Sequence, residues 1–409
     1  MTSQFFRRFA PLVVLTLGAL AAFTAAAGPK AYVGNFKDNT VSVIDTASNA
    51  VVATVPVAAG PHGMGVTPDG RWVFVTGDAS SAMSVIDTAT DRVTRTVEVG
   101  KSPHGVALTP DGKILLVGVY GEDRIAFIDT ATLAIVATVP VPKPHTIAIR
   151  PDGKLAYVAS QEPGKFALVI VDLGTRAVSG AVALDKPPRD PEFAGDGRAL
   201  YFTRAGLNAV SVLDPATDKI VADIPTGASP HTAKLVPGAK YGTVVVQGPG
   251  ELLLFDPATN APVKSIAVGA QPHWMASADG RVFWVTNEGS NTVTVVDTQT
   301  GQTTNVAVGN APRKVVVQPA AAARVSANRI GIVNFAFAPG EMTVAPGTQV
   351  VWANDDGAPH GLQFKDGAPG TDLLLPGATF TREFDRSGTF DYVCSVHPYM
   401  TGRVVVQAR

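Results

Sequence analysis

The sequence predicts an all-β protein in two parts, a seven-bladed β-propeller followed by a small β-sandwich. Three observations carry this reading. A period of about 42 residues runs through most of the chain and stops near residue 319. Within each period, four short runs rich in β-branched residues are separated by Gly, Pro, Asp and Asn. Beyond Ala320–Ala323, strand-like runs of a different spacing fill roughly the last 85 residues. The bulk composition agrees. The chain has 409 residues, long for one domain, and is 46% hydrophobic and 16% charged. Its 40 Gly and 31 Pro supply the backbone angles of many tight turns.

Taken in order, Met1 to about Ala27 reads as an export signal. Arg7 and Arg8 form its charged start, Pro11 to Phe23 an apolar stretch, and Ala25-Ala26-Ala27 a small-residue cleavage region. The apolar stretch is shorter than the ~20 residues that span a bilayer, so no membrane span is expected after cleavage. The twin arginine leaves the export route open between two systems. A periplasmic or secreted bacterial protein is expected. With a formal charge of −1 and no basic stripe carrying aromatics, nucleic acid is not an expected partner. The chain holds one cysteine, Cys394, so no intrachain disulfide can form; a lone thiol in an oxidising compartment needs another reason, such as holding a metal.

The propeller is expected over 28–319. Its period is marked by an aspartate that closes a β-branched run, at Asp45, Asp87, Asp129, Asp172, Asp214, Asp256 and Asp297, which gives seven units. A second marker is Pro-Asp-Gly at Pro68, Pro110 and Pro151, decaying to Gly195-Asp196-Gly197 and Ala278-Asp279-Gly280. The unit beginning at Gly105 shows four strands in turn: Gly105–Thr109, Ile114–Val119, Arg124–Asp129 and Ile135–Val139. Ala31-Tyr32-Val33 matches a second strand, and Lys314-Val315-Val316-Val317 a first strand. The C-terminal end of the repeat region is therefore expected to complete the opening blade and close the ring. Ala156-Tyr157-Val158-Ala159, Val282–Asn287 and the Pro-Asp-Gly turns resemble the YVTN family of β-propellers. Such propellers serve mostly as scaffolds or binding platforms.

One position of the repeat carries chemistry. The pairs Pro61-His62, Pro103-His104, Pro144-His145, Pro188-Arg189, Pro230-His231, Pro272-His273 and Pro312-Arg313 precede the seven first strands. Five of the seven histidines in the chain sit there. First strands line the central channel, so His62, His104, His145, His231 and His273, with Arg189 and Arg313, are expected to ring one of its mouths. Imidazole clusters suit a second metal, and the arginines an anion beside it. The alternative is a strand-opening Pro-His inherited by duplication. Nitrous-oxide reductases are similar in placing a propeller with an axial histidine cluster before a copper domain. Their copper domain needs two cysteines and their cluster seven histidines, so the architecture resembles theirs while the activity is not implied.

A linker is expected at 320–324 and the sandwich over 325–409. The stretch Tyr392-Val393-Cys394-Ser395-Val396-His397-Pro398-Tyr399-Met400 and the upstream His360 supply a thiolate, two imidazoles and a thioether, the donor set of a blue (type 1) copper site. Zinc fits poorly because methionine is a weak zinc ligand, and a catalytic cysteine explains neither His360 nor Met400. Trp352-Ala353-Asn354, Gly388-Thr389-Phe390-Asp391-Tyr392 and the short Cys-x2-His-Pro-x-Met loop resemble the plastocyanin/azurin superfamily, amicyanins above all. The resemblance implies copper held by His360, Cys394, His397 and Met400. It implies a redox partner docking on the apolar end near His397, Pro398 and Tyr399. Asn354 is expected to pin the cysteine loop by hydrogen bonding.

Two functions remain open on the sequence: an electron-transfer protein with a propeller as docking scaffold, or a metalloenzyme whose type 1 copper feeds a metal on the propeller axis. First strands run from the Pro-His mouth to the Pro-Asp-Gly turn, so the chain should leave the propeller on the face away from the ring. Electron delivery to the ring would then call for a head-to-tail homodimer or a separate partner.

Overall fold

The computed structural model describes residues 29–319 and 328–407, except 334, 355, 357 and 377. The expected signal segment and the expected linker at 320–324 lie outside the described residues. Two strands of the first blade are Lys30–Asn35 and Thr40–Asp45, and the pattern continues with almost no helix, a single 3₁₀ turn at Tyr120–Glu122 excepted among the described residues.

Seven four-stranded antiparallel sheets make the blades. In the first, Pro312–Val317 pairs with Lys30–Asn35, with Val33 opposite Val315, so the two ends of the repeat region share one sheet. Second and third strands are buried on both faces, as in Val33, Val43, Leu116, Val158, Leu254 and Val285, because each sheet packs between two others. Fourth strands form the rim and leave Val52, Val136, Val221 and Val263 exposed.

The repeat markers have local causes. Each marker aspartate folds its carboxylate over the turn it opens: Asp129 Oδ1 accepts from the backbone of Ala131 and Thr132, and Asp297 Oδ1 from Gln299 and Thr300. In Pro-Asp-Gly, the aspartate accepts from the backbone N–H two residues on, as Asp69 does from Arg71 at 3.0 Å. The glycine takes a left-handed φ of 68–71° at Gly70, Gly112, Gly153, Gly197 and Gly280.

First strands begin at the proline itself, as in Pro61–Val66 and Pro103–Leu108. The ring position is therefore the second residue of a strand and not, as the sequence suggested, part of a lead-in before it. Threonines of the second strands hold the ring backbone: Thr76 donates to the carbonyl of His104, Thr203 to that of His231, and Thr286 to that of Arg313. At the far end of the strand Pro312–Val317, Gln318 bonds to the carbonyl of Gly70. The chain thus leaves the propeller beside a Pro-Asp-Gly turn, away from the ring.

The C-terminal domain is a two-sheet sandwich. One sheet orders Ala336–Ala338, Arg329–Val333, Thr348–Asn354 and Thr379–Phe384; the other orders Glu341–Val344, Thr401–Val406, Gly388–Val393, His360–Phe364 and Thr371–Leu374. The strands Ala336–Ala338, His360–Phe364 and Thr371–Leu374 were not expected from the sequence. Trp352 is fully buried at the centre, edge-on to Phe364 and Tyr392. A side chain of that size contributes roughly 3–5 kcal/mol by its burial.

Candidate metal centre

One end of the sandwich gathers the predicted ligands from two places in the chain. His360 is the first residue of the strand His360–Phe364, and Cys394 follows directly on Gly388–Val393. These two strands pair, with Gln363 opposite Val393, which brings their ends together. The next residue, Gly361, has no room for a side chain: a Cβ there would run into Ser395 Oγ and lie 2.6 Å from the Asp372 carbonyl. The loop after Cys394 closes on itself. Met400 N–H donates to the carbonyl of His397 at 2.9 Å, and Cys394 N–H to that of Met400 at 3.0 Å. The short Cys-to-Met spacing is what allows both bonds.

The donor atoms converge. Cys394 Sγ is 3.6 Å from His360 Nδ1 and 3.8 Å from His397 Nδ1, and the two Nδ1 atoms are 3.3 Å apart. Among the described residues only these three bring three such atoms within 4.8 Å of one another. The tautomer of His360 is set from behind. Its Nε2 meets Asp356 Oδ2 at 3.0 Å, so Nε2 carries the proton and Nδ1 offers its lone pair toward the thiol. The backbone N–H of His397 donates to Cys394 Sγ at 3.3 Å. A thiol sulfur and two imidazole nitrogens at these separations fit a soft or borderline ion, copper foremost. Met400 is buried at 3% exposure and tied by its backbone to the same loop.

Asn354 acts elsewhere than expected. Its Nδ2 donates to the carbonyls of Ala358 at 2.8 Å and Leu374 at 2.7 Å, and its Oδ1 accepts from Asp356 N–H. It holds the turn that carries His360, not the cysteine loop. Sequence reasoning also missed Asp356, whose neighbour Asp355 is chemically equivalent on paper, and Phe335. The Phe335 ring stands edge-on to both His360 and His397, at 5.4 and 5.0 Å between centroids. Around half-buried His397, the exposed Phe335, Val396, Pro398 and Tyr399 form an apolar collar, with Tyr399 70% exposed.

Comparison with known proteins agrees with this geometry. The family described as copper binding proteins of the plastocyanin/azurin family matches residues 324–407. Amicyanin-alpha of Methylorubrum extorquens is 33% identical over 91 residues, which is 21% of this chain and 76% of that protein. The C-terminal domain makes the chain a member of the plastocyanin/azurin family. Amicyanin of Paracoccus versutus is likewise 33% identical over 97 residues, 22% of this chain and 74% of its own length. This domain is thus a cupredoxin, a copper-binding electron-transfer domain. A YNCE-like β-propeller family matches residues 10–113. For the propeller fold, a chain of Kuenenia stuttgartiensis hydrazine synthase aligns with a TM-score of 0.61 at 22% identity, covering 65% of this chain and 92% of that one.

The seven ring residues meet at the channel mouth, around a cavity of 220 Å³ that Thr146, Asp190, Trp274 and Lys314 also line. The imidazoles form an arc. Neighbouring ring centroids are 4.1 Å apart for His231–His273, 5.8 Å for His273–His62, 3.9 Å for His62–His104 and 4.1 Å for His104–His145. Arg313 leaves the arc: its guanidinium binds Glu288 at 3.0 Å and lies over the ring of Phe36. Burial, with the neighbouring imidazoles, pushes the pKa values of His62, His145 and His273 well below the ordinary histidine value, so these rings are uncharged at neutral pH.

Proposed function

We propose that the protein is a periplasmic electron carrier whose C-terminal domain binds one type 1 copper through His360, Cys394, His397 and Met400. The convergence of Cys394 Sγ with the two histidine Nδ1 atoms carries this reading. Copper bound there supplies one-electron chemistry between its two oxidation states. The chain's own residues do the rest. The strand ends and the closed Cys394–Met400 loop hold the donors in one arrangement before metal arrives, which keeps reorganisation small. Asp356 fixes the imidazole of His360, and Asn354 fixes the turn behind it. The apolar collar of Phe335, Val396, Pro398 and Tyr399 desolvates readily on contact and brings a partner to the edge of His397. The propeller serves as scaffold or docking platform. No helix among the described residues is long and apolar enough to cross a membrane, and export is supported by the Arg7–Ala27 pattern.

Copper(II) titration of the purified full chain tests this. An intense visible thiolate-to-copper band should reach its limit at one equivalent and be absent from Cys394→Ser. A chain that takes up copper without that band would exclude the type 1 assignment. The metalloenzyme alternative depends on the histidine arc.

A further inference from the structure

The arc contains one neighbouring pair whose ring nitrogens are already assigned. His231 Nδ1 is 3.1 Å from Asp190 Oδ2. His273 Nδ1 is 3.1 Å from the backbone carbonyl of Arg313. A carboxylate and a carbonyl can only accept, so both Nδ1 atoms carry the proton. Each imidazole therefore keeps its lone pair on Nε2, and that of His273 lies 3.9 Å from Glu288 Oε2. The Asp190 carboxylate is itself fixed, accepting from Thr232 Oγ1 at 3.0 Å, while its backbone N–H donates to Thr146 Oγ1. An imidazole whose second nitrogen is held by a buried carboxylate is the usual supporting arrangement behind a metal-binding histidine. Asp190 is 3% exposed, and its charge also attracts the buried ammonium of Lys314.

Two cations of the same cavity have no carboxylate within ion-pair distance among the described residues. Lys314 is 7% exposed and its ammonium lies over the Trp274 ring at 3.3 Å. Among the described residues it has no hydrogen bond or ion pair, and neither has the side chain of Arg189. A bare divalent ion would be opposed by these charges. An ion that brings its own anion would not be, because the anion would satisfy the ammonium and the guanidinium. Two imidazoles also leave coordination positions open, and no third ring donor stands close enough to fill them, since compact three-donor groups are confined to the cupredoxin site.

We infer that the propeller axis binds a transition-metal ion through Nε2 of His231 and His273, with an exchangeable anion on the metal held by Lys314 and Arg189. Asp190 is the positioning residue. Imidazole donors select zinc, copper, nickel or cobalt over calcium or magnesium.

The test uses the full-length chain carrying His360→Ala and Cys394→Ser, which disables the cupredoxin site and keeps the two proposals separate. Calorimetric titration with zinc(II) should show one equivalent bound. Replacing both His231 and His273 with alanine should abolish it, whereas His145→Ala, on the far limb of the arc, should keep it. Asp190→Asn should weaken binding about 10–100-fold while leaving both ligands in place. Loaded with cobalt(II), the chain should change its visible spectrum on adding azide, and Lys314→Met should require at least tenfold more azide. Absence of zinc binding, or binding that survives loss of His231 and His273, overturns the site. Loss of binding in His145→Ala overturns the assignment to this pair. An azide response unchanged in Lys314→Met overturns the anion. Melting curves of each variant identify any that fail to fold, and Asp190→Asn then carries the test.

Discussion

His360 and Asp356, four residues apart, meet at 3.0 Å between Nε2 and Oδ2, and the same carboxylate oxygen takes the backbone N–H of Phe335 at 2.8 Å. One side chain therefore orients the imidazole of His360, proposed to bind copper, and anchors part of the apolar collar. It also places a negative charge one imidazole ring away from the metal position. That charge favours the more positive oxidation state. Removing it in Asp356→Ala should raise the reduction potential. A unit charge at roughly 7 Å in an effective dielectric of about 20 is worth about 2 kcal/mol, or on the order of 100 mV. Spectroelectrochemical titration measures this directly, and an unmoved potential would mean that Asp356 acts by hydrogen bonding alone.

Asn354 makes a separate prediction. It is fully buried and satisfies two backbone carbonyls and one backbone N–H. Asn354→Ala strands all three, at a cost of roughly 2–4 kcal/mol. In a domain of this size that lowers the melting temperature by about 10 °C or more. Calorimetry of the full chain should show the cupredoxin transition shifted and the propeller transition in place. A joint shift of both would show that the two parts unfold together.

The repeat made most of this architecture legible. Asp129 and Gly112 announce turns because a carboxylate over a turn and a left-handed φ are local requirements, met by few residue types. The cluster of His360, Cys394 and His397 was legible because a thiol and an imidazole seldom share one short loop with a thioether. Asp356 was not, because nothing in Asn354-Asp355-Asp356 marks one carboxylate as the partner of His360. The strand His360–Phe364 was hidden by its mixed residues, His-Gly-Leu-Gln-Phe, and by the loop-like Gly-Ala-Pro before it. The arc of histidines was legible as a ring. Its gap was not, because the departure of Arg313 depends on Glu288 and Phe36, residues of two other strands and turns.

The collar predicts a kinetic effect without a spectroscopic one. Tyr399 is 70% exposed and touches the His397 ring at 6.0 Å between centroids. Tyr399→Glu places a charge where a partner must exclude water, and a desolvated unpaired charge opposes association by several kcal/mol. Electron exchange with a redox partner, or self-exchange measured by NMR line broadening, should slow at least tenfold. The thiolate-to-copper band should keep its position. Unchanged exchange would place the docking surface elsewhere on the molecule.

Lys314 ties the axis to stability through pH. Burial pulls its ammonium from the ordinary lysine value down to about 8, against the opposing pull of Asp190. The folded value is the lower one, so between about pH 8 and pH 10.5 the unfolded chain holds the extra proton and stability rises with pH. Below pH 8 the full cost of the buried charge is present. The gap of about 2.5 units corresponds to roughly 3 kcal/mol. Lys314→Met keeps the apolar stem against Trp274 and removes the charge. It should raise the propeller melting temperature by several degrees at pH 7, with the difference shrinking toward zero near pH 11. Melting curves of both chains across pH 6–11 decide it. A variant less stable than the parent at pH 7 would mean that the attraction of Asp190 for the ammonium outweighs its burial cost.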